Sequence, residues 1–143
     1  KFHNLWIFYF LSYMLKRFEN KKALITGASG GIGRVLVKEL KKEGALVAVT
    51  DLSTSTVKAD ANFDGDLLNA NFCDQLPKKV YDKFDGIDYL CNVAGVITRG
   101  KINDATDEDY NLTISMRLRI VEKKLLFFHY FSLERSYHDL CRS

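Results

Sequence analysis

The stretch of sequence that decides the fold is residues 22–33, which read KALITGASGGIG. A short apolar segment precedes a glycine-rich turn, and an amphipathic segment follows it, which predicts a strand, a turn and the start of a helix. Glycines let such a turn adopt positive φ angles and let a ligand approach closely. Because the first amides of a helix lack partners and carry the positive end of its dipole, a pyrophosphate suits this position. A tight turn without a ligand is the alternative.

The helix after the turn is predicted from the spacing of its apolar residues. Ile32, Val35, Leu36 and Leu40 fall on one face at helical spacing. Gly44 follows a lysine-rich last turn and predicts the end of the helix.

A second strand is predicted over residues 45–50, which are almost continuously apolar. This pattern is typical of a parallel strand that is buried on both faces. Asp51 follows it, 18 residues after Gly33, where a dinucleotide-binding fold places the acid that holds the adenosine ribose. In the alternative interpretation, Asp51 caps a turn with Ser53 and Thr54.

The rest of the central region predicts one more strand–helix unit and a fourth strand. The predicted segments are a strand over 57–63, a helix over 74–84 with Pro77 near its first turn, and a strand over 87–93. Together they predict an α/β fold, a Rossmann-like parallel sheet of about four strands with flanking helices and right-handed crossovers. A ligand would then bind at the carboxyl ends of the strands, where Gly27, Asp51 and Asn92 fall.

The bulk composition fits one globular domain and favours no charged partner. The chain has 143 residues and a net charge of +3, too small to indicate nucleic-acid binding. Its three cysteines form no C-x-x-C pair, which predicts a reducing compartment and a cytoplasmic location. Its three histidines form no ligand cluster, so no metal site is predicted.

Two motifs resemble those of the short-chain dehydrogenase/reductase family. The spacing T-G-x-x-x-G-x-G over 26–33 is similar to the family's nucleotide loop, and Asn92-Val93-Ala94-Gly95 resembles its Asn-Asn-Ala-Gly strand end, with Val93 as a departure. The resemblance covers residues 21–116 and implies a partial NAD(P)-binding Rossmann domain. The cofactor-binding residues that it implies are Gly27, Ser29, Gly30, Gly31, Ile32, Gly33, Asp51, Leu52, Asp66, Leu67, Asn92, Ala94 and Gly95.

The resemblance also bears on the choice of cofactor. The carboxylate of Asp51 would repel a 2′-phosphate, and Gly30 stands where family members that prefer NADP often carry a basic residue. Both features predict NAD rather than NADP. Asp66 and Leu67 match the pair that flanks the adenine ring in the family, although an Asp-Gly-Asp turn is common elsewhere.

The family resemblance implies an oxidoreductase that transfers a hydride between nicotinamide and an alcohol or ketone. Its catalytic residues are a serine and a Tyr-x-x-x-Lys pair on one helix face. None of the seven tyrosines is followed by a lysine four positions later, and the family's helical asparagine corresponds to Arg117. The sequence therefore predicts no catalytic residues and no turnover from these 143 residues.

Two terminal segments do not fit the predicted domain. Residues 1–20 are strongly apolar and aromatic, yet too short to span a bilayer. We interpret them as translated sequence outside the domain, with Met14 as a start, and keep a membrane-surface anchor and a partner-binding segment as alternatives. Residues 117–143 are basic and aromatic, which favours a frameshifted or truncated course over a continued helix or an RNA- or membrane-binding tail.

The alternative function from another class is a non-catalytic nucleotide-binding module that docks on a membrane or protein. A nucleic-acid binder is less favoured because the charge is small. The sequence leaves the oligomeric state open, and a homo-oligomer is compatible with it.

Overall fold

The computed structural model describes residues 16–96 and 106–115. Its elements in chain order are β1 (Lys22–Thr26), α1 (Gly31–Lys42), β2 (Leu46–Asp51), β3 (Ala61–Asp64), α2 (Ala70–Phe84) and β4 (Tyr89–Asn92). Residues 107–115 are also helical.

The four strands form one parallel sheet in the order β3-β2-β1-β4. Thr26 at the end of β1 pairs with Thr50 on β2 and with Asn92 on β4. Asp51 at the end of β2 pairs with Asp64 at the end of β3. The strands therefore end together along one edge, and the predicted α/β fold with a parallel Rossmann-like sheet is confirmed.

The sheet is packed on both faces, as its almost continuously apolar strands predict. Alternate residues of a strand point to opposite faces, so Ile25 packs with the α1 layer and Leu24 with the α2 layer. Val37 and Leu40 of α1 complete the first layer, and Leu76 and Val80 of α2 complete the second layer.

Helix α1 buries only part of the face predicted, because Leu40 is buried and Leu36 packs against the same core, but Ile32 and Val35 do not. The buried residues are Gly33, Val37 and Leu40, whereas Ile32 and Val35 are 74% and 62% exposed. The cause is the position of Gly33 directly on the backbone of the preceding turn, where an added Cβ would lie 2.6 Å from the Cα of Ala28. This contact fixes the rotation of the helix, and Val37 and Leu40 follow at one and two turns.

The connection from β2 to β3 contains no helix, and β3 is shorter and later than the strand predicted over 57–63. Residues 52–60 form a loop, here called the crossover loop, that packs Thr54 and Val57 into the protein at 2% and 8% exposure. The side-chain amide of Asn62 donates to the carbonyl oxygens of Thr54 and Val57 at 3.1 Å each. Val57 is therefore a core residue of a loop and not of a strand.

Helix α2 begins earlier than predicted. Asn69 caps it by accepting a hydrogen bond from the amide of Phe72, and Pro77 lies inside the helix and not in its first turn. Proline lacks an amide hydrogen and normally breaks a helix interior, which is why its position misled the sequence prediction. In the structure, Pro77 is buried.

The terminal segments are described only in part. Residues 16–20 pack beside the domain, where the amides of Phe18 and Asn20 donate to the carbonyl oxygens of Glu43 and Gly44. Thr106 and Asp109 form a reciprocal cap at the start of the helix over 107–115, with each accepting from the other's amide. The interpretations of residues 1–15 and 117–143 lie outside the described residues. Among those that are described, no helix has the length and apolar character that crossing a membrane requires.

Candidate functional site

The carboxyl ends of the strands open into a cleft of about 590 Å³. The glycine-rich turn, the end of β2, the turn after β3 and the segment after β4 line it. Every residue that the sequence assigned to the cofactor lines this cleft except Asn92, which is exposed at the end of β4. The cleft has four further lining residues that sequence reasoning missed: Gly65, Leu68, Val93 and Val96.

The glycine-rich turn is shaped by close backbone contacts. Gly27 has a φ angle of +67°, and a Cβ on it would lie 2.6 Å from the Cα and amide nitrogen of Ala94. A Cβ on Gly33 would lie within 2.3 Å of the carbonyl oxygen of Gly27. Glycine is therefore required at both positions, because the turn, the start of α1 and the segment after β4 meet there backbone to backbone.

The first turn of α1 presents amide groups to the cleft. Gly30 is the N-cap residue, no side chain among the described residues caps the helix, and its first turn contains no acid. A Cβ on Gly31 would meet nothing within 4 Å, and Gly31 lines the cleft. Free amides at the positive end of a helix dipole attract an anion such as a phosphate.

The carboxylate of Asp51 is fixed by two backbone amides. Its Oδ2 accepts from the amide of Ser29 and its Oδ1 from the amide of Leu52, each at 2.8 Å. Each oxygen keeps a lone pair for a further donor, which suits two neighbouring hydroxyl groups. The alternative cap is not formed through Thr54, because the amide of Thr54 donates to Asp64 instead.

The turn after β3 lies opposite the glycine-rich turn and is also held by carboxylates. Asp64 accepts hydrogen bonds from the hydroxyl and amide of Thr54, and these bonds lower the pKa of its carboxyl. Asp66 accepts from the amide of Leu68 at 2.8 Å. The amide of Gly65 donates to the carbonyl oxygen of Asp51 at 2.9 Å, which connects this turn directly to the end of β2.

The side chain of Thr26 holds the segment after β4, a contact that was not predicted from the sequence. The hydroxyl oxygen of Thr26 accepts hydrogen bonds from the amides of Val93 and Ala94, each at 3.2 Å. Thr26 is only 5% exposed. This contact joins residues that are 67 and 68 positions apart, so the sequence carries no local signal for it.

The chemistry available in the cleft is recognition by amides and carboxylates. Among residues 16–96 and 106–115, no group of three or more His, Cys, Asp or Glu side chains could hold a metal ion. Burial raises the pKa of the Cys91 thiol on β4, which disfavours a reactive thiolate there.

The fold and the cleft together define a Rossmann-like α/β domain, with an open helix N-terminus after β1 and an acid at the end of β2. The sequence profile of the short chain dehydrogenase family matches residues 21–121. The chain therefore belongs to the short-chain dehydrogenase family, and the match extends five residues beyond the predicted limit at 116.

Relatives and solved structures agree with this assignment. The chain is 32% identical over 112 residues to the 2,3-dihydro-2,3-dihydroxybenzoate dehydrogenase of Bacillus subtilis, covering 71% of this chain and 43% of that protein. A short chain dehydrogenase from Burkholderia cenocepacia in complex with NADP superimposes with a TM-score of 0.71 and 26% identity, over 80% of this chain and 52% of that one. The NADH-dependent reductase A1-R′ complexed with NAD gives a TM-score of 0.67 and 27% identity, over 80% and 53%. The chain thus spans about half the length of these proteins or less.

Proposed function

We propose that the cleft binds a nicotinamide dinucleotide. The observation that carries the proposal is the position of Asp51, whose carboxylate is fixed by the Ser29 amide beside the uncapped start of α1. In this arrangement the amides of Gly31 to Gly33 hold the pyrophosphate and Asp51 accepts from the adenosine ribose hydroxyls. The solved relatives that contain NADP or NAD support the same class of ligand.

Apolar side chains at the cleft support binding of flat rings. Ile32 and Leu52 line the cleft and are 74% and 72% exposed. When a ligand covers exposed apolar side chains, the burial of their surface contributes favourable free energy to binding. We assign Leu52, Asp66 and Leu67 to the adenine side, and Ala94 and Gly95 to the opposite side of the cleft.

We propose NAD as the preferred cofactor over NADP. Asp51 places a negative charge where a 2′-phosphate would lie, and two neighbouring negative charges repel each other. Gly30 supplies no side chain to neutralise such a phosphate. The solved relatives contain either cofactor, so the preference depends on these two residues of the chain.

The reaction that we propose for the whole protein is hydride transfer between nicotinamide and a small alcohol or ketone. The nicotinamide ring supplies the hydride chemistry, and the chain binds and orients it. We further propose that these 143 residues turn over no substrate by themselves, because no tyrosine is followed by a lysine four positions later. An assay of NADH oxidation with simple ketones is expected to show no rate above that of buffer.

We also propose that the protein works in the cytoplasm. Within the described residues, Cys73 and Cys91 form no disulfide, which suits a reducing compartment. Labelling the cysteines in intact cells with and without a reductant would test this location.

Calorimetry with NADH tests the proposed cofactor site. Asp51→Asn keeps the shape of the side chain and removes its charge, so we expect it to weaken NADH binding about tenfold, the effect of losing one charged hydrogen bond. NADPH is expected to bind the wild-type chain more weakly than NADH. The matched control is Asp82→Asn, which removes an exposed carboxylate paired with Lys78 on α2 and leaves the cleft unchanged.

The proposal is wrong if folded wild-type chain gives no heat with NADH, NAD or NADPH. If Asp51→Asn and Asp82→Asn weaken NADH binding equally, the role assigned to Asp51 is wrong, but the proposed cofactor site is not. Circular dichroism of each variant confirms that the chains compared are folded.

A further inference from the structure

Arg34 connects the glycine-rich turn to the crossover loop. Its side chain is exposed on the first turns of α1 and does not line the cleft. The Nε atom donates to the carbonyl oxygen of Ser29 at 2.7 Å, and Nη2 donates to the hydroxyl of Thr56 at 2.9 Å. One guanidinium therefore holds two segments that are not adjacent in sequence.

Ser29 is the point where these contacts reach the cleft. Its amide donates to Oδ2 of Asp51 at 2.8 Å, and its hydroxyl donates to the carbonyl oxygen of Ser53. Its carbonyl oxygen accepts from Arg34. The amide, hydroxyl and carbonyl of this one residue are all engaged, and the amide orients the carboxylate that we assign to the ribose.

Thr56, the second residue that Arg34 contacts, also lies in a fixed part of the molecule. Thr56 lies in the crossover loop between Thr54 and Val57, both of which are buried. The backbone of this loop is held by Asn62 and Asp64. Arg34 therefore anchors the Ser29 peptide to a part of the molecule that is itself packed on the sheet.

The guanidinium is suited to this task in a way that lysine is not. Its donors lie in one rigid plane, so two bonds to Ser29 and Thr56 fix a direction as well as a distance. A lysine at position 34 has three rotatable N–H donors on one nitrogen at the end of a flexible stem, so its hydrogen bonds do not fix a direction in the same way.

We propose that Arg34 is a positioning residue for recognition of the adenosine ribose. It acts through Ser29, whose amide holds Asp51 in the orientation that accepts the ribose hydroxyls. This inference rests on the proposed function, and it assigns the effect of Arg34 to the ADP-ribose half of the dinucleotide. The nicotinamide half does not depend on it.

Calorimetry with two half-ligands tests the assignment. Arg34→Met keeps the length of the side chain and removes its donors, and we expect about tenfold weaker binding of ADP-ribose, the effect of losing a charged hydrogen bond. Binding of nicotinamide mononucleotide is expected to stay unchanged. Arg34→Lys is expected to recover part of the loss, and Arg17→Met, at another exposed arginine that pairs with Glu43, is expected to bind like wild type.

A double variant tests whether Arg34 acts through Asp51. If it does, the chain carrying both Arg34→Met and Asp51→Asn binds ADP-ribose no more weakly than Asp51→Asn alone, since two changes in one connected group are not additive. In the free chain, hydrogen exchange of the Ser29 amide is expected to speed up in Arg34→Met and not in Arg17→Met.

The outcomes separate this inference from the proposed function. If the wild-type chain binds neither NADH nor ADP-ribose, the proposed function is wrong and the recognition role of Arg34 falls with it. If the wild-type chain binds both and Arg34→Met binds equally well, only the role of Arg34 is wrong. Additive losses in the double variant, or unchanged Ser29 exchange, would also overturn it.

Discussion

At the scale of single residues, two neighbouring glycines in α1 have opposite requirements. A Cβ on Gly33 would meet backbone atoms at 2.3 Å and 2.6 Å, whereas a Cβ on Gly31 would meet nothing within 4 Å. We expect Gly33→Ala to lower the free energy of unfolding by about 2 kcal/mol or more, because backbone and not a flexible side chain must move.

Gly31→Ala is the matched control for that change. Alanine is favoured over glycine in a helix by about 1 kcal/mol, so this variant is expected to unfold at an equal or higher urea concentration than wild type. Urea unfolding followed by circular dichroism measures both variants. Equal stability of Gly33→Ala and wild type would contradict the close approach of α1 to the turn.

Much of the candidate site could be predicted residue by residue, because its signals are local. The glycine spacing and an acid after an apolar strand are visible in the sequence, and the structure brings Gly27, Gly33 and Asp51 to one cleft. The contact of Thr26 with Val93 joins residues 67 positions apart, and no local pattern encodes it. Asn92 matched a motif, yet its side chain ends outside the cleft.

At the scale of elements, Thr26 connects the end of β1 to the segment after β4. Thr26→Val removes the hydroxyl that accepts from the amides of Val93 and Ala94, and leaves both donors without this partner. We expect a loss of about 1–3 kcal/mol in unfolding free energy, the usual effect of an unsatisfied part-buried group.

Thr26→Ser provides the comparison, since it keeps the hydroxyl and removes only a methyl group. Thermal unfolding is expected to rank the proteins as wild type, then Thr26→Ser, then Thr26→Val. A valine variant as stable as the serine variant would show that the two hydrogen bonds contribute nothing.

Acid is expected to weaken the hydrogen bonds by which Asp64 at the end of β3 holds Thr54 of the crossover loop. Hydrogen bonds from Thr54 lower the pKa of Asp64 below its ordinary value of 3.8. A lowered pKa contributes stability that is fully present above 3.8 and is lost as the pH falls through the pKa of the folded state. The stability difference between wild type and Asp64→Asn, measured by urea unfolding, should therefore shrink below pH 3.8. A difference that is independent of pH would contradict this assignment.

The elements themselves were predicted unevenly, and the reasons are physical. The strands β1, β2 and β4 and helix α1 were found because runs and spacings of apolar residues are a strong signal, whereas the strand β3 was placed too early. The buried face of α1 was predicted only in part, because the backbone contact at Gly33, a tertiary effect, sets the rotation of the helix. The start of α2 was missed because Pro77 normally marks a first turn, and Asn69 supplied the real cap five residues before the predicted start.

At the scale of the whole molecule, β4 is one of the two edge strands of the sheet that the described residues form. Within the described residues, β4 pairs with β1 on one side and with no strand on the other. Unpaired strand edges promote association with further chains. We expect the 143-residue chain to self-associate with rising concentration, measured by sedimentation velocity.

A charge on the edge strand is expected to reduce this association. Tyr89 on β4 is 41% exposed, and Tyr89→Lys places a cation there, as natural edge strands often do. Leu46→Lys is the matched control, because Leu46 is also 41% exposed but lies on the interior strand β2. Equal association of the two variants would show that the β4 edge is not the contact surface.

The helix-free crossover loop has a consequence for the order in which the molecule folds. The contact between Val47 and Asp60 that closes this loop joins residues 13 positions apart, whereas Lys22 and Asp88, which bring β4 to β1, are 66 apart. Closing a longer loop loses more chain entropy. We therefore expect the half of the cleft built by β2 and β3 to form from contacts near in sequence, and the half built by β4 to join it later on refolding.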